Sequence, residues 1–236
     1  MSPVRRERAS RSSRRRGPRT DVDVREALLD AAEDLCAAEG PAGPSARTIA
    51  ARVGVNAAVV GYHFGSREGL IQAALERRGI PLLHRSRALL LALRSRRQRP
   101  TTRDVVEAVA RPYLETLAGD PASGLRWIKL VAALALNRDR RWDHLARAVG
   151  TPSLWELFPQ VLRRALPDVT PADLERRGAL AMYSLLTSLS NVDAPAFGSP
   201  LGATGLDRAF AESLIDFTAA GLAGDLPTRA VVPARR

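Results

Sequence analysis

Side chains suited to covalent or metal chemistry are few in this sequence: one cysteine, Cys36, and three histidines, His63, His84 and His144. A single cysteine makes neither an intramolecular disulfide nor a multi-cysteine zinc site, and dispersed histidines supply no ligand cluster, so no metal and no cofactor is expected. No Ser, Cys or carboxylate constellation stands beside a suitable histidine, so no catalytic residue is assigned and an enzyme is disfavoured. Cys36 reads as buried packing. The abundant reactive group is the guanidinium: thirty-five arginines and one lysine face 25 acids, for a net charge of +11. That excess suits a polyanionic partner. Composition alone does not separate DNA from RNA or a membrane surface, and arginine beside abundant alanine also fits a GC-rich coding bias.

The charge is unevenly placed. Residues 1–20 hold eight arginines (Arg5, Arg6, Arg8, Arg11, Arg14, Arg15, Arg16, Arg19) and one acid, Glu7. With only Met1 and Val4 as large apolar side chains, this segment cannot bury enough area to offset its ordering entropy. It is expected to be a disordered basic arm, serving either as a solubilising tail or as a phosphate and minor-groove contact. Residues 21–80 carry six arginines and nine acids, a sum of −3. No apolar segment of the kind a signal peptide needs follows the arginines, and no run approaches the roughly 18 apolar residues of a membrane span. The expectation is a soluble cytoplasmic protein with no membrane partner, and 236 residues at 45% hydrophobic suffice for one or two packed domains.

The elements that position these side chains read as helices throughout. Val24, Leu28, Ala31 and Leu35 recur at helical spacing up to Gly40. Gly40, Pro41, Gly43 and Pro44 break the pattern, and Ser45 then stands as N-cap of a short helix ending at Gly54. Asn56 caps a third helix running to about Phe64, and Ser66 caps a fourth that extends through the nineties, with Pro81 either kinking or splitting it. Further helical blocks fall at 103–117, 122–137, 152–166, 171–191 and 207–223, and no strand-like alternation of any length appears. Thr151 and Thr170, each followed by Pro at the first helical position, and the Gly/Pro cluster from Pro195 to Gly205 mark boundaries. The basic run Arg85, Arg87, Arg94, Arg96, Arg97 and Arg99 reads as a solvated face, with auxiliary phosphate contact as its alternative.

Within the segment SARTIAARVGVNAAVVGYHFGSREGL, residues 45–70, Ile49, Ala50 and Val53 on one helix and Val59 or Val60 on the next can close a small core across Gly54 and Val55. This is helix-turn-helix spacing. Gly54 suits a turn that needs positive φ, and Ala50 suits a close crossing. Together with the upstream LCAAEG, at Leu35, Cys36 and Gly40, and the downstream Tyr62, His63, Phe64, Arg67 and Leu70, the segment resembles the TetR family over about residues 22–75. Cys36 stands where that pattern has an aromatic, Thr48 where an acid is common, Gly61 where a tyrosine is common and Arg67 where a lysine is usual.

The resemblance implies an all-α protein: a three-helix DNA-binding domain (21–66) with a helix-turn-helix, a larger helical ligand-binding and dimerisation domain (67–224), and a flexible tail (225–236). It implies a transcriptional regulator of the repressor type, released from a palindromic double-stranded DNA operator by a small molecule, with a cytoplasmic, nucleoid-associated location. Asn56, Ala57 and Ala58 would lead the recognition helix into the major groove. Asn56 reads either as a cap or as a base or phosphate contact, Ala57 and Ala58 offer methyl contacts, and Val59 can meet a thymine methyl. Arg47 is the candidate for a bidentate guanine contact, with a solvated or phosphate-contacting arginine as its alternative. Tyr62, His63 and Arg67 read by resemblance as phosphate clamps, with Ser45 contributing at a helix start.

The resemblance also implies a homodimer through the last two helices, whose apolar faces carry Leu174, Leu180, Tyr183, Leu186 and Leu189, then Phe210, Leu214, Phe217 and Leu222. An intramolecular hairpin is the alternative. Among the middle helices, Tyr113, Trp127 and Met182 are the candidate ligand-binding residues, and sparse aromatics predict an apolar or amphipathic effector. A nonspecific architectural DNA-binding protein is the competing reading, because the recognition helix offers little polar readout.

Overall fold

The computed structural model describes residues 20–137 and 139–224, and the expected basic arm and tail lie outside them apart from Thr20. Thr20, counted with the arm from the sequence, is the N-cap of α1 (Asp21–Glu39): its side chain accepts from the Asp23 amide while Asp23 accepts from the Thr20 amide. Ser45 caps α2 (Ala46–Val53) through the Thr48 amide, at 3.0 Å. Gly54 ends α2 in the left-handed region (φ 78°), and the Val55 amide turns back to the Ala50 carbonyl. Asn56 Oδ1 then accepts from the Ala58 amide at 2.9 Å at the start of α3 (Ala58–Phe64). Leu28, Leu29, Ile49, Ala50 and Val60 form the fully buried centre of this three-helix headpiece. An apolar interior between short, individually capped helices is what gives elements of seven and eight residues their stability.

Ser66 caps α4 (Arg67–Ser95), a continuous helix of 29 residues. Pro81 lies inside it and does not split it. Lacking an N–H, Pro81 leaves one helical carbonyl unpaired, and the apolar contacts of Ile71, Leu75, Leu82, Leu83 and Leu90 hold the helix together. The other helices are α5 (Thr102–Gly119), α6 (Pro121–Leu136), α7 (Arg140–Ala148), α8 (Leu154–Ala165), α9 (Pro171–Ser190) and α10 (Arg208–Ala223). Helix α4 packs on α1, α5 and α8, α1 also packs on α6, and α9 packs on α10. The same rod that carries α3 at one end therefore reaches the centre of the larger body.

Three details depart from the expectations. Helix α8 starts at Leu154, because Ser153 and Glu156 form the capping box there and Pro152 precedes the helix. Helix α7 was not anticipated, its nine residues being dominated by charge, and a two-residue hairpin, β1 (Leu201–Gly202) with β2 (Gly205–Leu206), sits in the Gly/Pro cluster.

The basic run is not a bare solvated face. Arg99 donates to the Arg164 and Ala165 carbonyls at the end of α8, while Arg164 donates in return to the Leu93, Arg94 and Arg96 carbonyls at the end of α4. Arg87 binds the Thr151 and Pro152 carbonyls and Arg85 pairs with Glu115. These guanidiniums satisfy backbone acceptors that helix ends and loops leave open.

Candidate nucleic-acid interface and buried cavity

The α2–α3 pair presents an outer face made by subtraction. Ile49, Ala50 and Val60 point into the headpiece, which leaves Ser45, Arg47, Thr48, Arg52, Asn56, Ala58 and Tyr62 exposed, with Ala57 and Val59 half-buried. Residues 45–66 contain no acid. The guanidiniums of Arg47 and Arg52 make no hydrogen bond or ion pair with any described residue. Tyr62 is 77% exposed, its hydroxyl at the end of a ring that lies edge-on to His63. Ser45 Oγ and Thr48 Oγ1 sit 2.8 Å apart at the start of α2. Neither Arg52 nor Thr48 is assigned to DNA contact by the sequence reading; the signal for both is the acid-free stretch.

Two expected clamps have other tasks. Arg67 turns inward and donates to the Pro41 and Pro44 carbonyls as well as to Glu68. The loop between α1 and α2 is rich in Gly and Pro and cannot satisfy these acceptors itself, so the guanidinium pins it to the start of α4. His63 has a side chain only 7% exposed, lies 3.4 Å from Asp21 and packs between Tyr62 and Phe64. Phe64 is half-buried, with the Arg25 guanidinium 5.3 Å above its ring. Gly69 has a role unforeseen in the sequence: a Cβ there would fall 2.1 Å from the Phe64 carbonyl, so only glycine lets α4 approach the end of α3 this closely.

Four of the acids of α1 are turned away from the basic face toward the body. Glu26, Asp30 and Glu33 all bind Arg77 of α4, and Asp34 pairs with Arg126 of α6. Glu33 is fully buried; burial pushes its carboxyl above the ordinary range, although the Arg77 and Arg78 guanidiniums oppose this. Arg78 also donates to Ser123 of α6. The headpiece is thus fastened to the body through one ionic joint among α1, α4 and α6.

Within the body lies a cavity of about 700 Å³ walled by α4, α5, α8 and α9, with contributions from α6 and α7. Its wall is mostly apolar, including Leu90, Val109, Phe158, Leu162 and Leu186. Of the three candidate ligand residues, Tyr113 and Met182 line it. Trp127 does not. It is completely buried between α4 and α6, its indole N–H donating to the Leu75 carbonyl at 3.1 Å, and it serves as core. Ser86, unremarked in the sequence, lines the cavity from α4. Among the described residues, no group of three or more His, Cys, Asp or Glu is placed to hold a metal ion, and no helix is long and apolar enough to cross a membrane.

Residues 28–74 match the family model for "Bacterial regulatory proteins, tetR family", and residues 107–221 match that for "Tetracyclin repressor-like, C-terminal domain". Over 71 residues the chain is 44% identical to the HTH-type transcriptional repressor Rv3405c of Mycobacterium tuberculosis and to the HTH-type transcriptional regulator Mb3439c of Mycobacterium bovis. That match covers 30% of this chain and 38% of each relative. Among solved structures, a putative TetR-family transcriptional regulator from Mesorhizobium loti aligns with 87% of this chain and 96% of its own at 16% identity and a TM-score of 0.39. A TetR-family regulator from Streptomyces coelicolor aligns with 89% and 99% at 24% identity and a TM-score of 0.37. The N-terminal match falls on the helix-turn-helix, the C-terminal match on the cavity walls other than α4, and the two together span more than half of the sequence; the chain belongs to the tetR family of bacterial regulatory proteins.

Proposed function

We propose that this protein is a homodimeric, sequence-specific transcriptional repressor that binds a palindromic operator and is released by a small ligand held in the cavity. The carrying observation is the outer face of α2–α3, acid-free and exposing Arg47, Arg52 and Tyr62 while Ile49, Ala50 and Val60 hold the helices from behind. Arg47 is assigned to a guanine edge, where a guanidinium matches two acceptors at once. Tyr62, Ser45, Thr48 and Arg52 are assigned to phosphates, and Asn56 to the start of the recognition helix, where its cap leaves the amide nitrogen free. Ala58 and Val59 supply the apolar contacts.

The dimer reading is supported by what α9 and α10 leave uncovered. Leu174, Leu189, Leu214 and Leu222 are buried within one chain, but Leu180 is 67% exposed and Phe217 72%. Large apolar side chains concentrated on a helix pair favour a second copy against it, and two-fold symmetry then dictates an inverted repeat in the DNA. Release follows if the cavity occupant favours a dimer in which the two headpieces no longer match the operator; α4, which carries both Ser86 at the cavity and the end of α3, is the mechanical link.

Selection of duplexes from a random library at near-physiological salt tests the reading. An enriched inverted repeat bound by two chains supports it. Binding without sequence preference and with a steep salt dependence overturns it in favour of a nonspecific architectural protein.

A further inference from the structure

The cavity wall is apolar with two exceptions at its buried side, and both are hydroxyls. Ser86 on α4 is 2% exposed, and its Oγ has no hydrogen-bond partner. A helical serine or threonine ordinarily solves this problem locally: Ser95, Thr116 and Thr218 each donate to the carbonyl one turn back. Ser86 does not. Tyr113, on the adjacent α5, is 6% exposed and lines the same cavity; its phenol makes no hydrogen bond with a described residue and, unlike the Ser86 oxygen, is not sealed off from water. Burial pushes the Tyr113 phenol up, so at neutral pH it remains protonated and able to donate. Buried polar groups are nearly always paired, so the sealed, unpaired Ser86 hydroxyl and the open Tyr113 phenol on the same cavity mark a place where something else supplies the partner.

We propose that the cavity takes a neutral, largely apolar ligand bearing one hydrogen-bonding oxygen, and that Ser86 and Tyr113 hold that oxygen, an assignment that rests on the reading of the cavity as the effector site. Charge is absent from the α4 and α5 walls. The ionisable lining groups are Asp139 and Asp143 on or beside α7, Arg163 on α8 and Glu175 on α9. Asp139 is already clamped by Arg141, and Arg163 and Glu175 are exposed at the rim. A charged head held by Ser86 and Tyr113 would therefore have no counter-ion on its own wall, the half-buried Asp143 belonging to α7, and that is strongly unfavourable. A ketone, alcohol or ester on an apolar skeleton meets both hydroxyls without that cost.

The test uses the full chain and four probes of similar apolar size, 2-decanone, hexylbenzene, decanoate and decylamine, with Trp142 and Trp155, which line the cavity, as fluorescent reporters. The expected result is that 2-decanone binds most tightly, that Ser86→Ala and Tyr113→Phe each weaken it about threefold to tenfold, and that hexylbenzene binding does not change. The empty Ser86→Ala protein is expected to melt no lower than wild type, because it loses an unpaired group and no contact. Equal 2-decanone affinity in wild type and both variants overturns the hydroxyl assignment while leaving the cavity reading standing. Preference for decanoate or decylamine overturns the neutral class. Should no probe bind, or should Met182→Trp fail to weaken any of them, the cavity reading falls and the inference with it.

Discussion

At the scale of single residues, exposure separates side chains that one motif groups together. Tyr62, His63 and Arg67 stand within six positions of one another, yet only Tyr62 faces outward; His63 packs between rings and Arg67 holds the Pro41 and Pro44 carbonyls. Tyr62→Phe is accordingly expected to weaken operator binding about threefold to tenfold, through one lost phosphate contact, with no change in melting temperature. Arg67→Ala is expected to do the opposite, lowering stability by about 2 kcal/mol through orphaned carbonyls, with an unchanged salt slope of DNA binding once folded protein is compared. Urea titrations and salt-dependent anisotropy separate the two. Arg47 is a candidate through its residue type and Tyr62 through the family resemblance, and both side chains are exposed on the outer face. The inward turn of Arg67 was not, because it depends on acceptors 23 and 26 positions away, and Trp127 was misplaced for the same reason: an aromatic at helical spacing says nothing about which side of α6 holds the cavity.

At the scale of elements, caps made the headpiece readable. Ser45, Gly54 and Ser66 occupy the terminus positions that their chemistry favours, so the order of α1 to α4 follows from local sequence. Gly54 sits at φ 78° with nothing within 4 Å of the Cβ that an alanine would add, so the cost of Gly54→Ala is conformational alone, about 1 kcal/mol by thermal or urea unfolding. Helix α7 and the start of α8 were less legible, since a charged nine-residue helix gains its place from tertiary contacts and Ser153 outcompetes Pro152 as a boundary only through Glu156.

The joint of α1 with α4 carries a pH signature. Glu33 titrates above its unfolded value, so the folded state holds more protons in that window. Its contribution to stability is therefore fully present below the ordinary carboxylate range and is lost as pH rises through the folded value. Glu33→Gln is expected to flatten that slope in stability measured from pH 4 to pH 8, whereas an unchanged slope would assign it to other groups.

At the scale of the whole molecule, α4 joins the two sites. Its first turns lie under α3 and its middle walls the cavity, and the ionic cluster around Arg77 sits between them. A ligand shifts DNA affinity only by the difference in its own affinity for the two arrangements, so under the proposed function the coupling is expected to be reciprocal: operator DNA would weaken ligand binding by the factor by which ligand weakens DNA binding. The exposed apolar pair Leu180 and Phe217 belongs to the same scale. Phe217→Glu is expected to shift sedimentation from dimer to monomer and, by removing the second half-site contact, to abolish tight operator binding while leaving helical content intact.

Duplex selection run side by side on wild type and Arg47→Ala bears directly on whether α2–α3 reads an operator. Both are expected to recover the same inverted repeat, the variant relaxing one guanine position in each half-site with a loss of about 1–3 kcal/mol on the wild-type sequence. Identical base preferences and affinities for the two proteins would contradict that expectation, since the outer face of α2–α3 would then not be reading DNA.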